Sequence, residues 1–407
     1  MSEKKTIFAL GWVSFFMDVS SEMIYPLLPA FLSSLGAGGT AIGFVAGLSE
    51  TIASLFRVIS GRLSDRFRKR KSAIILGYGL STLARPILAL SASWGHVLGF
   101  RLLDRAGKGV RTPPRDALIA DSSSVEHYGR AFGIQRAMDT AGAVLGPALA
   151  TWILTAGMGY RSVFWISFIP AAIAVAIIQV FVRERGRYAG PVADFTPRVL
   201  AGAAPRAGAP SAPPATGAPA EGTSATGPAS TPLFTRELKI FLVLRARDLG
   251  FRDNLVPILY MTMNVSYALL AYPAGRLADR FGKGRIAFLG YLLYAALYAL
   301  FALETKMNAL WILFPLQGTY LAFTEGVGTA YMATLLPGEK KATGFAVYYT
   351  VIGLALLPAG TIGGWLWDRF SPSATFIAGS LLSLAAGTIF GIALLRGNRS
   401  PKPGEIS

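Results

Sequence analysis

Cysteine is absent from the 407 residues, which excludes disulfides, thiolate metal ligands and cysteine nucleophiles. Histidine occurs only as His96 and His127. They sit at separate predicted helix ends, so neither a zinc spacing nor a histidine-based catalytic pair is available. Charge is scarce too: 15% of the residues are charged, against roughly 25% in an ordinary soluble domain, too few to solvate a globule of this size. A nucleotide-holding soluble domain is also missing. Gly107-Lys108-Gly109 and Gly282-Lys283-Gly284 lack the upstream glycine and the Ser/Thr of a phosphate-binding loop.

What the chain does have is apolar length. Apolar residues make up 53% of it and the mean hydropathy is +0.48. Stretches of about 20 such residues, each able to cross ~30 Å of hydrocarbon, recur along the sequence. They predict twelve spans, near 6–34, 40–60, 72–92, 94–118, 130–156, 161–182, 237–249, 252–275, 285–303, 309–336, 342–366 and 373–395. The expected fold class is an all-α polytopic membrane protein. The net charge of +17 does not point to nucleic acid, because the bases concentrate in alternate connections. The loops at 35–40 and 92–94 carry none. By the positive-inside rule, both termini and the even-numbered connections are cytoplasmic. The basic start before Ile7–Met17 resembles a signal peptide, but Asp18 interrupts it and no small-x-small site follows, so an uncleaved first helix is expected.

Residues 201–231 consist almost wholly of Ala, Pro, Gly, Ser and Thr, a composition that cannot bury a core. The segment 183–236 therefore reads as a flexible cytoplasmic linker between a six-helix bundle, 1–182, and a second one, 237–397, followed by a tail, 398–407. The two bundles repeat. Gly61-Arg-Leu-Ser-Asp65-Arg66-Phe67 returns as Gly275-Arg-Leu-Ala-Asp279-Arg280-Phe281, and Leu35-Gly36 as Leu249-Gly250, at one offset of 214. The second span of each half should thus have one length. Parallel halves of this kind are a transporter architecture. Span seven breaks the symmetry: its apolar part is about 12 residues, or ~18 Å of helix, and Arg245 and Arg247 interrupt it. Either the end of the linker is drawn in or the helix is truncated.

Ionisable residues inside spans are costly and mark function or pairing. Asp18 and Glu22 stand four apart on one face of span one, followed by the kinking prolines Pro26 and Pro29. Two desolvated, mutually repelling carboxylates make a candidate proton site. Span four carries a polar stripe of Arg101, Asp104, Arg105, Lys108, Arg111 and Arg115 at helical steps. It must face water or partner carboxylates, and Pro113 and Pro114 are expected to break it. Its lower residues, Arg111 and Arg115, suggest a cytoplasmic gate with Asp116 and Asp121. Glu50, Arg57 and Arg85 lie in spans two and three. Arg136 and Asp139 have the spacing of a structural i,i+3 pair in span five. Glu325 of span ten maps across from Arg111, completing a candidate substrate cavity with Arg101, Asp104, Arg105 and Lys108. Trp311, Tyr320, Tyr348 and Tyr349 read first as packing groups and only second as pocket lining.

The loop Gly61–Lys71 and its copy Gly275–Arg285 resemble the Gly-x-x-x-Asp-Arg-x-Gly-Arg-Lys signature of the major facilitator superfamily, at the expected place in both halves. Gly142-Ala-Val-Leu-Gly146-Pro147 is similar to the Gly-x-x-x-Gly-Pro motif of its drug:proton antiporters. The resemblance implies two six-helix halves that rock about a midplane site in alternating access, driven by an ion gradient. On that basis the chain is expected to be a proton-coupled efflux transporter in the cytoplasmic membrane. Asp18 and Glu22 would bind the proton, and Arg101 and Arg105 would sense it. Gly61, Asp65, Arg66, Gly275, Asp279 and Arg280 would form the gating loops. Its partners would be a small molecule, protons and lipid, without cofactor, metal or nucleic acid, and a monomer suffices because one chain holds both halves. An exporter of anionic or zwitterionic compounds is the nearest alternative. A membrane sensor or enzyme without transport is the alternative of another class.

Overall fold

A computed structural model describes residues 3–67, 70–122, 128–182, 239–327 and 341–397. The expected linker, 183–236, and the tail, 398–407, lie outside them. The described residues are helical, without strands. The first half comprises α1 (Glu3–Ile24), α2 (Leu28–Ser34), α3 (Gly39–Phe67), α4 (Arg70–Ala89), α5 (Trp94–Asp121), α6 (Tyr128–Thr155) and α7 (Tyr160–Phe181). The second comprises α8 (Lys239–Asp248), α9 (Val256–Phe281), α10 (Lys283–Leu303), α11 (Leu310–Leu321), α12 (Lys341–Arg369) and α13 (Pro372–Gly397). With α1 and α2 counted as one span, each predicted span overlaps a helix, and residues 328–336 of the tenth, expected at 309–336, lie outside the described residues. Among the described residues eight spans are long and apolar enough to cross a membrane. Of the others, α5 fails on its charges and α8, with 10 residues, on its length.

Proline explains the shape of span one. Pro26 and Pro29 have no N–H to continue the α-helical ladder, and Tyr25–Leu27 form a 3₁₀ turn between α1 and α2. The two prolines of α5 act differently from expectation, because the helix runs through Pro113 and Pro114 unbroken. Pro114 leaves the carbonyl of Val110 without its helical donor, and the Ser60 hydroxyl of α3 supplies one at 2.5 Å. A neighbouring helix thus restores what the proline removed.

The repeat is visible in the backbone. Gly36 and Gly250, offset by 214, both take left-handed conformations, at φ of +80° and +84°, which glycine alone adopts without strain. The expected equal lengths do not hold: α3 has 29 residues and α9 has 26. The copies end in register at Phe67 and Phe281, and the distal start of α9 is delayed to Val256-Pro257.

Two long helix pairs make the main seams between the halves. Gly43 and Gly47 of α3 meet the backbone of α12 at Gly360 and Leu356, and Gly360 and Gly364 of α12 meet the backbone of α3 at Gly43 and Gly39, so closely that a Cβ on any of these four glycines, 43, 47, 360 or 364, would collide. At the distal end, opposite to where the chain enters α1, the Asp368 carboxylate accepts from the amides of Gly39 and Thr40 at 2.7 and 2.8 Å and from the Thr40 hydroxyl at 2.7 Å. It thereby caps the N-terminus of α3. On the other seam α6 meets α9. There the Tyr160 hydroxyl of α7 donates to Asp253, which also pairs with Arg247 at 2.6 Å. Short α8 is wedged into this end with Ile240 to Ala246 buried. Arg245, which interrupts its apolar run, donates to the carbonyls of Phe301 and Glu304 at 3.1 and 2.9 Å, where α10 ends.

Candidate substrate and coupling site

Asp18 and Glu22 lie one turn apart on α1, just before its 3₁₀ turn. A Cβ on Gly142 of α6 would come within 2.6 Å of the Phe15 carbonyl and 3.0 Å of the Asp18 Cβ. One on Gly146 would come within 2.6 Å of the Val19 carbonyl and 2.9 Å of the Glu22 Cβ. The Gly-x-x-x-Gly step therefore lets the α6 backbone rest on the ridge that carries both acids. Pro147, the motif's third residue, frees the carbonyl of Ala143, and Asn264 of α9 donates to it at 3.2 Å. Two sequence features read separately, the acidic pair and the glycine motif, are one packed unit tied to the second half. Both acids are half-buried. Among the described residues neither carboxylate has a hydrogen-bond or ion-pair partner, and one Glu22 Oε is fully buried without one.

The stripe on α5 divides in two. One part is fully anchored. Arg85 of α4, 1% exposed, donates to Ser20 Oγ at 3.0 Å, Ser21 Oγ at 3.1 Å and Asp104 Oδ1 at 3.2 Å. Arg105 pairs with Glu50 of α3 at 3.0 Å and reaches Asp104 Oδ2 at 3.8 Å. Two bases and two acids thus cancel inside the first half and fix α1, α3, α4 and α5 to one another. Breaking such a buried pair costs about 3–5 kcal/mol. Asp104 and Arg105, expected in the substrate cavity, are thereby committed to structure. Arg85 and Glu50 are the partners that the sequence stripe alone did not identify.

The other part is open. Arg101 is 4% exposed, and its buried Nε has no partner. Its guanidinium lies 5.7 Å from the centre of the Tyr25 ring, which also sits 6.0 Å from that of Arg105, a cation–π arrangement. Lys108 is half-buried, unpaired among the described residues, and within electrostatic reach of Asp18, Glu22 and Glu50.

Toward the proximal end the expectations are partly corrected. Arg115 does pair with Asp116, at 2.9 Å, and also donates to Ser14 at 3.2 Å. The Asp121 side chain lies outside the described residues. Among the described residues Arg111 pairs with no acid. It stacks 4.4 Å from the centre of the Tyr78 ring and donates to Ser81 at 2.7 Å. Arg136 and Asp139 do not pair: Arg136 donates to Tyr267 of α9, and Asp139 accepts from Gln135 at 2.9 Å. Tyr320 and Trp311 follow the packing reading, Tyr320 1% exposed against Tyr294 and Trp311 edge-on to Phe251. Glu325 falls in a π-helical turn, Ala322–Gly326, and its side chain, like those of Asp65, Arg66 and Tyr349, lies outside the described residues. In the second loop copy Asp279 and Arg280 are exposed, and Arg280 stacks on Phe281 at 5.3 Å. Gly61 stands 3.7 Å, by its would-be Cβ, from Pro113, while Gly275 faces open space.

Twelve helical segments in two joined, repeated halves enclose these charges, and the model of the Major Facilitator Superfamily matches residues 10–220 and 222–407. The chain belongs to that superfamily. It is 35% identical, over 95% of its length and 94% of the relative's, to an MFS-type transporter of Methanocaldococcus jannaschii. It is 26% identical to the multi-drug resistance efflux pump PmrA of Streptococcus pneumoniae, over 81% of this chain and 78% of that one. A solved POT family transporter in complex with 5-aminolevulinic acid superimposes with a TM-score of 0.76 at 14% identity, over 97% and 96% of the two chains, a likeness of fold. This superfamily member is a multi-pass membrane transporter, not an enzyme.

Proposed function

We propose that this MFS transporter exports a small organic solute in exchange for protons, with Asp18 and Glu22 as the proton-binding groups. The observation that carries the reading is the state of those two carboxylates: half-buried in the bundle and without partners among the described residues, while Glu50, Asp104 and Asp139 nearby are taken. Charged groups so placed must bind something. Packing against Gly142 and Gly146 couples them to α6, and through Asn264 to the second half, so a change of charge on α1 reaches the seam that must move. Arg101 stands one turn beyond Asp104 on α5, where it can respond to that charge. The Asp65-Arg66 and Asp279-Arg280 loops would gate the proximal side, which the distribution of bases assigns to the cytoplasm. The likeness to a named efflux pump favours export. Inside-out vesicles loaded with acid provide the test. Adding lipophilic cations, organic anions and amphoteric solutes in turn should release protons from wild-type vesicles and not from Asp18→Asn or Glu22→Gln. Silence across all three classes, with folded protein in the membrane, overturns the reading.

A further inference from the structure

In the anchored quartet of Arg85, Asp104, Arg105 and Glu50 each charge has an opposite charge as partner. The charges of α1 and α5 that are left without an ion pair or hydrogen bond among the described residues form a second quartet, Asp18 and Glu22 on α1 and Arg101 and Lys108 on α5, equal in sign count. A buried guanidinium with no acceptor is a deficit that well-packed helices do not retain without use. Here it lies over the face of Tyr25, and Lys108, two turns further along the same stripe, is within electrostatic reach of both free carboxylates. A cationic solute would satisfy only the acids and leave Arg101 bare. An anionic one would satisfy only the bases and meet the repulsion of both carboxylates. Only a molecule carrying both signs meets all four groups.

We infer that the transported substrate is an amphoteric solute, whose carboxylate or comparable anion is held by Arg101 and Lys108 and whose ammonium is held by Glu22 and Asp18. The inference deepens the proposed transport reading and rests on its placing substrate at this site. Arg101 offers the planar fork that suits a carboxylate, and Lys108 adds a movable point charge. The Tyr25 ring beside Arg101 offers an apolar face, and at the 3₁₀ turn it packs 5.5 Å from the ring of Tyr260 in the second half. A solute lying there would touch both halves, as a substrate that drives their rocking must.

The test measures binding, not transport, so that it stands apart from proton coupling. The purified full-length chain is titrated with ω-amino acids of three to eight carbons, and thermal unfolding is followed by tryptophan fluorescence. Each is compared with its N-acetyl derivative, which removes the cation, and its methyl ester, which removes the anion. One chain length should raise the unfolding temperature, and both derivatives of that length should lose the rise. Arg101→Gln and Lys108→Gln should weaken its binding about tenfold or more, the scale of a lost charge-assisted contact. If Arg101→Gln does not fold, Arg101→Lys, which keeps the charge but loses the fork, should still bind more weakly than wild type. Stabilisation by the esters that survives in Arg101→Gln overturns the inference in favour of a cation site, as does the absence of stabilisation by every member. Binding of the amino acids without proton release in vesicles would sink the coupling reading alone. Proton release by lipophilic cations without amino-acid binding would sink this one alone.

Discussion

Asn264 of α9 donates to the carbonyl of Ala143 on α6, the carbonyl that Pro147 deprives of its helical donor. The proline of the Gly-x-x-x-Gly-Pro motif thus does more than bend its helix: it exposes an acceptor inside the membrane that only the other half satisfies. The bond exists in this arrangement of the halves and is lost if α6 and α9 slide apart, leaving a bare carbonyl in an apolar setting.

Replacing Asn264 by Leu should therefore destabilise the present arrangement by about 1–3 kcal/mol, the cost of an unsatisfied buried acceptor. In a Pro147→Ala background the helix supplies its own donor, and the same replacement should cost markedly less. Thermal unfolding of the four proteins of this double-mutant cycle measures the difference. Equal costs in both backgrounds would show that Asn264 stabilises by packing and not by that bond.

The distal seal yields a prediction of accessibility. Asp368 is the sole side chain among the described residues seen to cap α3, and its removal leaves the first amides of that helix unpaired. Because the chain has no native cysteine, a single one introduced at Ser54, which lies beneath the seal and is 6% exposed, reports opening directly. Its labelling by a membrane-impermeant maleimide should be faster in Asp368→Ala by several-fold, in line with the ~0.5–2 kcal/mol value of a helix cap. Asp368→Asn, which keeps one acceptor, should fall between. Unchanged labelling would mean that the glycine contacts alone hold this end shut.

Those glycines give a sharper contrast. A methyl group at Gly360 has no space against the backbone of Gly43, whereas one at Gly79 or Gly99 meets nothing within 4 Å. Gly360→Ala should push α3 and α12 apart, abolish transport and increase Ser54→Cys labelling. Gly79→Ala and Gly99→Ala should transport as wild type, with stability unchanged or slightly raised by the better helix former. Transport by Gly360→Ala at the wild-type rate would remove the close approach from the mechanism.

The helices, the repeat and the acidic pair were legible because each leaves a linear trace: apolar length, a fixed offset and a four-residue step. The glycine ladder at 39, 43 and 47 has the same step that marked Gly142 and Gly146, and that rule applied along the whole sequence would have found it. The pairing of charges was not legible. Spacing places Arg136 within reach of Asp139, yet Tyr267 and Gln135, far away or on another register, take their groups. Likewise Arg111 meets an aromatic ring and a hydroxyl in place of an acid. Which partner wins depends on which faces of separate helices meet, and periodicity fixes only the face. Pro113 and Pro114 mislead for a related reason. A proline's cost in a single helix is read locally, but Ser60, fifty residues earlier, offsets it.

The division of the α5 stripe into anchored and open charges can be tested by separating stability from activity. Asp104→Asn leaves Arg85 and Arg105 short of a counter-charge in a buried setting, so it should lower stability by about 3–5 kcal/mol. Supplying substrate should not rescue it, because the lost contacts are internal to the first half. Lys108→Gln removes a charge that makes no ion pair among the described residues and leaves no buried partner bare, so its unfolding temperature should stay well above that of Asp104→Asn. Its transport should nevertheless fall by an order of magnitude or more. Unfolding temperature and vesicle transport, measured on the same two variants, therefore make a two-way comparison in which the losses should fall on opposite axes. A Lys108→Gln protein that is as unstable as Asp104→Asn would place Lys108 in the anchored network and close the open quartet to substrate.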